Sequence, residues 1–191
     1  MTAHPLILAS TSPRRRQLLA EAGYQFQVIP PDDSAESGEV AGETPAELVV
    51  RMARQKAADV AQRVSAGLVI GCDTVAECDG VVLGKPRDLN HAREMLQLLR
   101  GRHHRVLSGL CLWQRPENQI RLALDTTVLR MQDFTDTALE NHLASGDWRG
   151  KAGAFGFQDG LDWVEVVEGS VSNVVGLPME LLAQLCKEIP G

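Results

Sequence analysis

The stretch LVIGCDT (68–74) carries a single carboxylate, Asp73, at the polar end of an apolar run. From the end of a buried strand such a group can bind a divalent cation and accept a proton from an attacking water. Three lysines have unusual settings: Lys56 interrupts an apolar helical face between Met52 and Val60, Lys85 precedes a proline, and Lys151 lies among glycines. Arg14, Arg15 and Arg16 follow Ser12-Pro13, where a helix should begin. Cations at that end cost from a few tenths to about 1 kcal/mol each unless an anion neutralises them. Lysines and arginines gathered around one carboxylate are what phosphoryl chemistry needs, because charge develops on non-bridging and leaving oxygens. Plainer readings stand beside this one: a strand-end aspartate capping a turn, solvated lysines, and Ser10, Thr11 and Ser12 serving only to cap a helix.

The elements that must position these groups are legible in outline. LILAS (6–10) reads as a strand running into a tight turn, with Ser12 as N-cap and Pro13 at the first helical position; Leu18, Leu19 and Ala22 give that helix its apolar face and Gly23 ends it. FQVIP (26–30) is a second strand, followed by an acidic loop from Pro31 to Glu43. Thr44-Pro45-Ala46-Glu47 is a capping box opening a helix whose apolar residues, Val49 to Val64, recur at helical spacing. Residues 68–77 then form a strand, and Cys78-Asp79-Gly80 turns it into a hairpin. A helix over about 90–100, long strands over 104–113 and 120–131, a helix near 135–145, a glycine-rich loop at 150–160, a strand in DWVEVVEG and a last helix from Leu177-Pro178 to near Lys187 complete the reading. Because the long middle strands follow one another without a helix between them, the fold class is α/β with a mixed sheet. Gly150, Gly153 and Gly156 let backbone approach a ligand, and Gln158 can address a planar amide edge as both donor and acceptor.

Composition excludes several classes. The chain has 191 residues, 44% of them hydrophobic and 23% charged, which is ordinary for a globular enzyme. A formal net charge of -6 argues against a nucleic-acid partner, since such binding draws on many phosphate contacts. One basic cluster in an acidic chain suits a small anionic ligand better. The four cysteines lack metal-site spacing, the N-terminus lacks the features of a signal peptide, and no run is long enough to span a membrane, so a cytoplasmic location is expected. There is no Walker A loop and no G-x-S-x-G elbow, and the adjacent His103 and His104 would point to opposite faces of a strand.

Five ordered blocks, ASTSPRRRQLL, RMARQKA, IGCDTVAECDGVVLGKPRD, GKAGAFGFQ and VVGLPMELL, together resemble the Maf family of nucleoside triphosphate pyrophosphatases over residues 6 to about 185. The resemblance implies a fold of the inosine triphosphatase type, one domain over 1–191 with two lobes around a central cleft, and a homodimer. It also implies cleavage of a nucleoside triphosphate between the α and β phosphates with Mg²⁺, or another divalent cation such as Mn²⁺. By matched motif, Asp73 would be the proton acceptor and a metal ligand, while Ser10, Arg14, Lys56, Lys85 and Lys151 would face the phosphates. Thr74 after Asp73, and Gln158 in the glycine loop, resemble the dTTP and UTP branch, with modified pyrimidine nucleotides as further candidates. The segment PPDDSAES offers Asp32, Asp33 and Glu36 as the second acidic ligand, and Glu36 is favoured. The alternative class is a nucleotide-sensing regulator of cell division or septum formation without significant turnover.

Overall fold

The computed structural model describes residues 5–37, 40–157 and 160–189. β1 (Leu6–Ala9) is buried along its whole length, lying parallel between β2 (Phe26–Val28) and β3 (Gly67–Cys78). A strand covered on both faces reads as an unbroken apolar run, as LILA does. It leads into α1 (Pro13–Glu21), which starts at Pro13 as expected. The capping box of α2 (Pro45–Gln62) is complete: the Glu47 N–H donates to Thr44 Oγ1 at 3.3 Å and the Thr44 N–H to Glu47 Oε2 at 2.8 Å. Such a cap contributes about 1 kcal/mol.

β3 turns at Asp79 and Gly80, with φ of 51° and 83°, into β4 (Val81–Leu83). Two residues in the left-handed region are what a tight hairpin requires, and Asp-Gly supplies them at low cost. After α3 (Leu89–Leu99) come the long antiparallel strands β5 (His103–Arg115) and β6 (Gln119–Met131), then α4 (Asp136–Ser145), β7 (Val164–Glu168), α5 (Val171–Val175) and α6 (Met179–Lys187). The strands form one seven-stranded mixed sheet in the order β2-β1-β3-β5-β6-β7, with β4 paired to β3. α5 was not expected from the sequence, because five residues are too few to show a helical period.

The decisive feature of the sheet lies on one edge of β3. β1 pairs there up to Gly71, and β4 begins pairing only at Ala76. Residues 72–75 have a sheet partner on the β5 side alone. The sheet therefore splits beside Asp73, and the turn after β1 and the segment after β4 both open toward the split. This corrects the expected position of Asp73. It is not at the tip of β3 but in the middle of it, and the strand continues, buried again, from Val75 to Cys78.

Apolar clusters lie at the two ends of the long strands. Leu8, Leu19, Ile70, Leu110, Leu177 and Leu182 pack at the β1 end, while Leu83, Met95, Leu96, Leu129, Met131 and Trp148 pack at the β4 end. Among the described residues no helix is long and apolar enough to cross a membrane. All four cysteines are free thiols.

Candidate active site

A cleft of about 850 Å³ opens at the split. Its lining includes Ser10, Arg14, Lys56, Asp73, Thr74, Lys85 and Lys151 from the sequence reading, together with Glu36. These residues come from the turn after β1, α1, the loop after β2, α2, β3, the segment after β4 and the glycine loop, so only the tertiary fold assembles them. Gln158 lies outside the described residues. Of the three candidate acids after β2, only Glu36 lines the cleft; Asp32 is instead near Arg63, 3.9 Å away.

Lys56 is the centre of the arrangement. It is 7% exposed, and its Nζ lies 2.6 Å from Asp73 Oδ1 and 3.2 Å from Glu36 Oε1. A lysine on an apolar helical face usually extends its ammonium to solvent. Here two carboxylates hold it inside. Two glycines explain how α2 comes so close to the sheet. A Cβ at Gly71 of β3 would lie 2.1 Å from the Ala53 carbonyl oxygen, and one at Gly109 of β5 would lie 2.1 Å from that of Val49. Gly109 is the cross-strand partner of Asp73, so the helix rests on bare backbone beside the carboxylate its lysine reaches.

The turn after β1 is built differently from a simple helix cap. Ser12 occupies the N-cap position, but its side chain accepts no helix N–H. Ser10 instead accepts from the Ser12 N–H at 3.1 Å and from Arg15 Nη1 at 3.3 Å. The first-turn amides of α1 thus keep no side-chain cap, and a helix start in that state attracts anions.

The three arginines separate by role. Arg14 donates to the Gly150 carbonyl at 3.1 Å, linking α1 to the glycine loop at the cleft wall. Arg15 donates through Nε to the Gly176 carbonyl at 2.8 Å and through Nη2 to Thr74 Oγ1 at 3.3 Å. Arg16 is exposed and does not line the cleft. Thr74 is a junction: its Oγ1 also lies 2.8 Å from Ser108 Oγ and donates to the Gly176 carbonyl at 3.3 Å. Arg15, Ser108 and Gly176 were not among the predicted site residues. Arg15 could have been found from its place in the arginine run, whereas Ser108 and Gly176 carry no local signal.

Arg87 and Arg149 also line the cleft, which brings its cations to seven against the two acids Glu36 and Asp73 among the described residues. In a chain of net charge -6 this is a strong local reversal of sign, the field that draws in a polyanion. Met52, Val75, Met95, Val106 and Phe155 supply an apolar part of the same lining. The neighbouring Cys72 is no nucleophile: burial pushes its thiol up, only partly offset by Arg15.

The Maf family profile, described as Maf-like protein, matches residues 5–189. A dTTP/UTP pyrophosphatase from Rhodopirellula baltica is 56% identical over 181 residues, covering 94% of this chain and 80% of the relative. Another, from Ruminiclostridium cellulolyticum, is 37% identical over 186 residues, covering 96% and 95%. Among solved structures, a HAM1 protein from Coxiella burnetii matches with a TM-score of 0.53 over 97% of this chain and 100% of that chain, at 13% identity, which is a likeness of fold.

Proposed function

The chain belongs to the Maf family, and from that premise we propose that it is a cytoplasmic nucleoside triphosphate pyrophosphatase acting on dTTP and UTP, with modified pyrimidine nucleotides as further substrates. The observation that carries the reading is the buried Lys56, held between Asp73 and Glu36 at the floor of a cation-lined cleft. The relatives' names support the same reaction and the same bases. They are names of enzymes, and nothing in the cleft favours the regulatory alternative.

In this mechanism the triphosphate lies across the uncapped start of α1, with Arg14, Lys85 and Lys151 against its oxygens. Lys56 occupies Asp73 Oδ1, and Oδ2 makes no hydrogen bond among the described residues. That second oxygen is the atom placed to take a proton from water as the water attacks the α-phosphorus. The bond from the α-phosphorus to the bridging oxygen breaks, and pyrophosphate leaves with its negative charge stabilised by the surrounding cations. Thr74, fixed by Arg15, Ser108 and Gly176, sets the wall next to Asp73, and Gln158 is assigned to the pyrimidine edge.

The residues present fit a divalent metal. Asp73 and Glu36 are hard oxygen donors that already converge on one cation, the Lys56 ammonium. Among the described residues no group of three or more His, Cys, Asp or Glu side chains could hold a metal. Asp73 and Glu36 would therefore share Mg²⁺ or Mn²⁺ with water and phosphate oxygens, as Mg²⁺ sites in phosphoryl enzymes commonly do. When bound, such an ion neutralises phosphate charge and polarises the reacting phosphorus.

Phosphorus NMR of the products of UTP and dTTP tests the bond assignment: monophosphate plus pyrophosphate is expected, and orthophosphate would refute it. Asp73→Asn keeps an acceptor for Lys56 but removes the base. Its kcat should fall by about 10²–10⁴-fold while nucleotide binding persists, and near-normal turnover would remove Asp73 from the chemistry.

A further inference from the structure

α5 has a single buried residue, and that residue is polar. Asn173 is 0% exposed, while Val171 at the start of the same helix is 48% exposed. A helix of five residues has too few internal hydrogen bonds to hold itself, so its place depends on what anchors it. Here the anchor is an amide. Asn173 Nδ2 donates to the Val106 carbonyl at 3.1 Å and to Thr127 Oγ1 at 3.0 Å, bridging cross-strand partners of β5 and β6. Thr127, also fully buried, donates to the Ser170 carbonyl at 3.1 Å and accepts from the Ser170 N–H at 3.0 Å. The start and the middle of α5 are thus pinned to one rung of the sheet.

That anchor costs stability. Asn173 Oδ1 is buried with no hydrogen-bond partner among the described residues, and a leucine of similar size would fill the place without a stranded acceptor. What the amide supplies is direction: two donated bonds fix where the helix sits, where apolar contact alone would let it slide. The next three residues, Val174, Val175 and Gly176, line the cleft. Gly176 has a φ of 126°, a conformation glycine adopts readily, and its carbonyl is the point on which three donors converge. Arg15 Nε, Thr74 Oγ1 and Cys72 Sγ lie 2.8, 3.3 and 3.4 Å from it.

We propose that Asn173 is a positioning residue for the reaction, a role that rests on the pyrophosphatase reading of the cleft. By holding α5 to β5 and β6 it aims the Gly176 carbonyl, and through that carbonyl it fixes Arg15 and Thr74 beside Asp73. Asn173 does not itself line the cleft, so its loss should appear in kcat rather than in substrate affinity.

Asn173→Leu removes both donors and the stranded acceptor with little change in volume. Its kcat with UTP should fall about 10–100-fold and its KM change by less than about threefold, while Tm stays within about 5 °C. In a double-mutant cycle with Arg15→Lys the two losses should overlap, leaving the double variant within about threefold of the weaker single. Losses that multiply would mean that Asn173 does not act through Arg15. Thr127→Val should lower kcat in the same way, and Thr127→Ser, which keeps the hydroxyl, should restore it, so the question is decided even if the leucine variant fails to fold. Normal kcat in folded Asn173→Leu or Thr127→Val overturns the proposal. A readout without nucleotide separates it from the catalytic reading. Followed by ¹⁵N NMR, the Arg15 Nε–H should exchange slowly with solvent in the unaltered protein and about tenfold or more faster in either variant. Unchanged exchange refutes the tether, whereas faster exchange in a protein that never turned over nucleotide would overturn the pyrophosphatase reading instead.

Discussion

Arg15 uses its whole guanidinium fork on the protein: Nε on the Gly176 carbonyl, Nη1 on Ser10 and Nη2 on Thr74. It thereby ties the turn after β1 to the middle of β3 and to the end of α5, the three pieces that meet beside Asp73. A lysine keeps the charge but cannot make a planar three-way fork. Arg15→Lys should fold normally by circular dichroism yet lose about 10–100-fold in kcat/KM; unchanged kinetics would mean that charge alone matters at this position. The sequence exposed Arg15 as one of three equivalent cations, and local spacing could not rank them. Their separation into a cleft-wall bridge, a junction and an exposed side chain depends on residues up to 161 positions away.

At the scale of elements, the critical contact is α2 against β3 and β5. The helix was among the clearest features of the sequence, since its capping box and apolar stripe are both local. Its height above the sheet was not legible, because that is set by Gly71 and Gly109 on other elements. A methyl group at 109 would meet the Val49 carbonyl carbon at 2.3 Å and its oxygen at 2.1 Å, and backbone cannot yield as a side-chain tip does. Gly109→Ala should destabilise the protein by about 3 kcal/mol and lower Tm by roughly 6–12 °C. It should also reduce turnover by lifting Lys56 from Asp73. An unchanged Tm would show that α2 has room to move. The same dependence on partners explains the misplaced position of Asp73: polar residues at 73 and 74 look like the tip of the buried run, yet β5 pairs with the strand from Gly67 through Glu77 and leaves Asp73 in its middle.

Across the whole molecule, stability should depend on pH through His104. The ring is 2% exposed, neither nitrogen has a hydrogen-bond partner, and its edge packs against Phe155 of the cleft wall. Burial lowers its pKa from 6.5 to about 4; the nearby Arg102 backbone and, more weakly, Glu77 oppose the shift, while His103 pushes the same way. A group whose folded value is depressed binds fewer protons folded than unfolded in the interval between the two values. Stability is thus intact above pH 6.5 and declines as pH falls toward 4, by on the order of 3 kcal/mol in total. Urea unfolding at several pH values should show this decline, and His104→Phe should make it shallower; an identical slope in the variant would clear His104 of the effect. What the sequence alone determined was local in origin: the helices with caps and periods, the Asp-Gly hairpin, the mixed character of the sheet and the chemical character of the site residues. What only the tertiary structure decided was their convergence. The split between β1 and β4, the glycine bed under α2 and the burial of Lys56 are relations between segments distant in the chain, created when apolar faces on both ends of one sheet are removed from water together.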